Sequence, residues 1–196
     1  MQGMSSSSSM TKERCALKER FSSGDTVAVV GHKDDGHHMT NKTGFQVLPN
    51  LVGEDEDDTN ALREMAKSAR EYISSFTWCP PIEDMYLAYG FGGIVGIFLF
   101  EFSEKIRGTD DELWVVVGDL PSAYLVVESD DSPSETIERY CGQMDAWISA
   151  VQTSGNLQEA FPVAAAATLE NADLLSRRIQ FLRKEIIPNI VTPGSA

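Results

Sequence analysis

His32, His37 and His38 are the only histidines of the chain, and they crowd into one short stretch with Asp34 and Asp35. Imidazoles and carboxylates at such spacing are the donor types that hold zinc or manganese. The apolar run 27–30 just before them reads as a short strand able to deliver His32, Asp34, His37 and His38 to a loop. The bland alternative is a polar loop, since clustered ligands need a rigid scaffold to make a site.

Gly31-His32-Lys33-Asp34-Asp35-Gly36 faintly resembles the His-Pro-Asp-Asp-Glu motif of the zinc-dependent de-N-acetylase family. Lys33 stands in place of the proline and Gly36 in place of the glutamate, and no later histidine completes such a zinc site. No role is carried over from that family, and no cofactor is expected.

Three further groups invite a chemical reading. Trp78-Cys79-Pro80-Pro81 would hold a reactive thiol only beside a base or a helix N-terminus. No histidine lies near it in sequence, so a packed cysteine beside a packing tryptophan is expected. Gly90-Phe91-Gly92-Gly93 lacks the lysine of a phosphate loop and precedes a strand instead of a helix, so it reads as a tight turn. Glu101, Asp110, Asp111, Asp119 and Glu128 flank the apolar runs and would line a rim of a sheet, an acidic patch for a cation or a basic partner. The plainer reading is solvated turn acids. Glu101, Asp110, Asp111, Asp119 and Trp78 are the candidate binding residues. No Ser–His–Asp arrangement, dinucleotide fingerprint or nucleic-acid motif can be assembled.

The elements that must position these groups follow from hydrophobic periodicity. Three apolar runs, 94–102, 113–117 and 123–127, separated by short turn-rich links, predict antiparallel strands. Residues 82–89 read as one helical turn. Leu62, Met65, Ala66, Ala69, Tyr72, Ile73 and Phe76 recur at helical steps, with Asp58 or Thr59 as cap. Ser132-Pro133-Ser134-Glu135 spells a capping box with proline in the first turn, followed by an apolar stripe from Ile137 to Val151. A last helix is predicted from about Leu169 to Ile187, ended by Pro188. The expectation is an α+β domain over 59–190, a three-stranded antiparallel meander packed against three amphipathic helices in the order α-β-β-β-α-α. One face of the sheet should carry helices, and the other should be open or covered by the N-terminal extension. Residues 1–58, with a serine run and an acidic run, read as a mostly flexible extension, with short strands at 26–30 and 45–48 as the exceptions the sequence allows.

Composition bounds the function. A 196-residue chain with 42% apolar residues can build a full core. A net charge of −14 disfavours nucleic acid and anionic membranes, and favours cations or a basic protein partner. The serine-rich first ten residues lack the apolar segment of a signal peptide, and the uncharged stretch 85–100 is too short and glycine-broken to span a membrane. Three widely spaced cysteines without a Cys-x-x-Cys suit a reducing, cytoplasmic compartment.

The stretch from residue 59 to 190 resembles small single-domain bacterial proteins of uncharacterised function and, in broad shape, acidic immunity proteins that neutralise toxins. The residues behind the likeness are Trp78-Cys79-Pro80-Pro81, Gly92-Gly93-Ile94, the run from Trp114 to Pro121 and the helix from Pro133. It implies a non-catalytic, partner-binding role. Two alternatives stand beside it: a metal-dependent hydrolase using the histidines or the acidic rim, and a structural or regulatory homodimer formed through an open sheet edge or face.

Overall fold

The computed structural model describes residues 40–106, 110–128 and 131–190. Its elements are β1 (Gln46–Val47), α1 (Glu56–Ser74), β2 (Ile82–Phe91), β3 (Val95–Ile106), β4 (Asp110–Gly118), β5 (Ala123–Val126), α2 (Pro133–Thr153) and α3 (Leu169–Phe181). A π-helical turn, Leu182–Ile186, and a 3-10 turn, Ile187–Asn189, extend α3. The class is α+β, as expected, but the sheet has five strands instead of three. All neighbours are antiparallel and the order follows the chain, β1-β2-β3-β4-β5.

The other two strands lie on one side of the expected three: β1 falls within the short strand allowed at 45–48 and joins the sheet at its edge. Residues 82–91 form strand β2 and not a helical turn. Irregularities in the β2–β3 register, between Ile82 and Asp84 and between Leu87 and Tyr89, interrupt the alternation that would have marked a strand. Phe91 and Ile94 close the β2–β3 hairpin, with the Ile94 N–H donating to the Phe91 carbonyl at 2.8 Å. Gly92 and Gly93 hold φ of +49° and +67°, the left-handed pair that matches the twist of a two-residue hairpin.

The middle strands are apolar on both faces because both faces are covered. On one, Phe98, Phe100, Leu113, Val115, Val117 and Tyr124 pack against Leu62, Met65, Ala69 and Ile73 of α1. On the other, Val95, Ile97, Leu99, Trp114, Val116 and Leu125 pack against α2 and α3. Burying each of these larger side chains contributes about 1.5–3 kcal/mol, enough to fix two layers of helix on the sheet. Gly90 and Gly96 face each other across β2 and β3, and a Cβ at Gly90 would lie 2.3 Å from Leu62 Cδ2. The absent side chains let α1 approach the sheet.

Helix α1 starts ahead of Thr59. Asp55 is its N-cap, accepting from the Asp58 N–H at 2.8 Å, and Asp58 in turn accepts from the Gly92 N–H at 3.3 Å. Part of the acidic run 54–58 therefore caps a helix and ties it to the hairpin. Helix α2 carries the expected capping box, Ser132 and Glu135 bonding reciprocally. Arg183 of the π turn joins α3 to α2 through Glu138 at 2.8 Å and Asp145 at 2.5 Å. Among the described residues, no helix is long and apolar enough to cross a membrane.

Candidate functional site

A polar cluster sits on the α2/α3 face of the sheet, where the chain's own residues 40–45 lie over it. Glu101 on β3 and Glu112 on β4 are direct cross-strand partners. Glu101 is the first charged position after the apolar run of β3 and Glu112 the last before that of β4; each lies two residues from a core residue, Leu99 and Trp114, so alternation carries both onto that face. Asp84 on β2 is the partner of Glu101 on its other side.

The segment 40–45 crosses this acidic row as a strap. Lys42 places its ammonium 2.8 Å from Glu112 Oε1, pairs with Glu101 Oε1, and lies 4.9 Å from the centre of the Tyr86 ring. Thr40 donates to Glu112 Oε2 through its hydroxyl, at 2.5 Å, and through its N–H, at 3.3 Å. Tyr86 donates its hydroxyl to Glu101 Oε2 at 3.0 Å. Burial first, and the neighbouring Asp84 carboxylate second, push the Tyr86 phenol above its ordinary value, so it remains a donor. Phe45 closes the strap, edge-on to Trp114 with ring centres 5.9 Å apart. Glu112 is buried and Thr40 is buried with it. Chemically the arrangement is a seat for a cation: two carboxylates at the sides, an aromatic ring to one side and hydroxyl donors completing the oxygens.

The sequence-nominated residues divide among several places. Glu101 belongs to this cluster. Asp110 and Asp111 open β4 at the same end of the sheet, both half-buried, Asp110 opposite Ile106. Asp119 lies at the far end of β4, is 4% exposed, and pairs with Arg178 of α3 at 2.8 Å. Trp78 stacks on Phe76 at 5.3 Å and meets Tyr124 edge-on at 5.2 Å, beside α1. The adjoining Cys79 thiol donates to the Pro80 carbonyl, and burial pushes that thiol up. His32, Asp34, His37 and His38 lie outside the described residues. Among the described residues, no group of three histidine, cysteine or acidic side chains has the arrangement to hold a metal ion.

Sequence reasoning missed Thr40, Lys42, Tyr86 and Glu112. One signal was available: Glu112 directly abuts the apolar run 113–117, where a charge needs a partner if the strand is buried. No protein-family model matches the chain, and neither a curated protein nor a solved structure matches it.

Proposed function

We propose that the chain is a non-catalytic interaction domain for a basic protein partner, of the inhibitor or immunity type. The supporting observation is the distribution of charge. Acidic side chains outnumber basic ones among the exposed described residues, from Glu54 and Asp57 through Glu83, Asp84 and Glu104 to Glu138 and Asp173. Several of the inward acids already hold a cation of the chain: Glu101 and Glu112 hold Lys42, Asp119 holds Arg178, and Asp131 holds Arg139. Such a surface steers a positive partner and rejects polyanions.

The test is capture on the immobilised full chain at low ionic strength, followed by reconstitution with the purified captured protein. The reading expects a stoichiometric complex with a basic protein, weakened about ten-fold or more as salt rises well above 0.1 M. Retention of no basic protein at low salt overturns it. So does stoichiometric zinc or manganese that disappears, together with a hydrolytic turnover, in His32→Ala or His37→Ala.

A further inference from the structure

The strap and the acidic row beneath it are mismatched in a way that core sealing does not explain. Like charges directly opposite each other on neighbouring strands destabilise a sheet. Glu101 and Glu112 stand so, with Asp84 on the other side of Glu101. The strap brings one ammonium to this row. An apolar strap would cover the same face without the desolvation cost of three charged groups. Beneath the strap, Trp114 is fully buried, and within the described residues its indole N–H has no hydrogen-bond partner. A buried donor left unmatched costs about 1–3 kcal/mol. Two facing carboxylates met by one ammonium, and an unmatched donor beneath the same short segment, suit a site that receives a chain segment of complementary charge.

We propose that this face is the docking site for a segment of a basic protein, and that residues 40–45 are the chain's own occupant of it. The strap defines the chemistry of the incoming segment: a lysine or arginine, followed three residues later by an aromatic ring. The basic side chain takes the place of Lys42 between Glu101 and Glu112, beside the Tyr86 ring. The aromatic takes the place of Phe45 on Trp114, and a carbonyl of the segment is the group the buried indole lacks. Arginine suits the seat better than lysine, because its fork can serve two carboxylates at once. Self-occupancy lowers apparent affinity by the fraction of time the strap is away, so loosening the strap tightens binding. This rests on the partner-binding reading above and names the surface and the partner's motif.

The probe is a synthetic peptide of residues 40–47, Thr-Asn-Lys-Thr-Gly-Phe-Gln-Val, with an arginine version and a glutamine version at its lysine. Calorimetry measures their binding to the full chain, wild type and Lys42→Ala/Phe45→Ala, with circular dichroism confirming that each variant is folded. Lys42→Met, which keeps the apolar stem, serves if the double variant does not fold. The lysine and arginine peptides should bind the strap variant about ten-fold or more tighter than wild type, and the glutamine peptide should not bind. Adding Glu101→Gln and Glu112→Gln should abolish binding. Equal affinity for wild type and strap variant, or for lysine and glutamine peptides, overturns the proposal. A captured basic partner whose affinity is unchanged by Glu101→Gln/Glu112→Gln overturns this site while the partner-binding reading stands.

Discussion

Removing Glu101 should be nearly neutral while Lys42 is present and stabilising once Lys42 is gone. Lys42 lies 2.8 Å from Glu112 and also pairs with Glu101. At an effective dielectric of about 20, unit charges at that separation attract by about 6 kcal/mol. Partial burial, with Lys42 21% and Glu112 8% exposed, returns most of this as desolvation. Lys42→Met should therefore cost about 2 kcal/mol. In wild type, Glu101→Gln loses an attraction to Lys42 and a repulsion from Glu112 together, and its amide oxygen still accepts from Tyr86. Its net effect should lie within about 0.5 kcal/mol of zero. In the Lys42→Met background only the repulsion is left, and the same substitution should stabilise by about 1 kcal/mol. Urea denaturation reads all four proteins. With a slope of about 2 kcal/mol per molar, Lys42→Met lowers the midpoint by about 1 M and Glu101→Gln recovers about half. An equal effect of Glu101→Gln in both backgrounds, or a Lys42→Met midpoint indistinguishable from wild type, refutes the charge mismatch.

Other expectations are simpler. Ser132→Ala removes the reciprocal cap of α2 and should cost about 1 kcal/mol. Bonds from the Ser132 hydroxyl, and then from its backbone N–H, hold the Glu135 carboxyl below its ordinary value of 4.5. A depressed folded value means that this stability is present above the unfolded value and is lost as pH falls through the folded one. The gap between wild type and Ser132→Ala should thus narrow below about pH 4.5 in urea melts run across that range. Gly142 is an exposed position inside α2 where an added Cβ meets nothing within 4 Å, so Gly142→Ala should raise stability by about 0.5–1 kcal/mol in the same melts. Burial pushes the Cys141 thiol up to about 12. Site-resolved mass spectrometry should find Cys141 unlabelled by iodoacetamide at neutral pH until denaturant is added, and labelling in the native protein would contradict its packing.

Much of the scaffold was legible because its signals are local. The capping box and apolar stripe of α2 sit within one helix, and the step pattern of Leu62, Met65, Ala69 and Ile73 does the same for α1. The runs at 94–102 and 113–117 announced strands. Their lack of alternation also carried the information that both faces are buried, which an expectation of one covered face left unused. Strand β2 was hidden by its register shifts, whereas β1 falls inside the short strand the sequence offered at 45–48, and its pairing with Tyr86 and Leu87 trims it to two residues. Asp119 read as a solvent-facing turn acid, because its partner Arg178 lies far along the chain. The strap was illegible for the same reason: Thr40, Lys42 and Phe45 gain meaning only from Glu112, Glu101 and Trp114, and no local pattern joins them.

Amide hydrogen exchange of the full chain, free and saturated with its captured basic partner, tests the central claim most directly. In the free chain the Thr40 N–H is bonded to Glu112 and the Phe45 N–H to the Lys42 carbonyl. Displacement of the strap predicts that both amides exchange faster in the complex, while the β3–β4 ladder around Glu101 and Glu112 stays protected. Thr40 and Phe45 remaining as protected at saturation as in the free chain would contradict it.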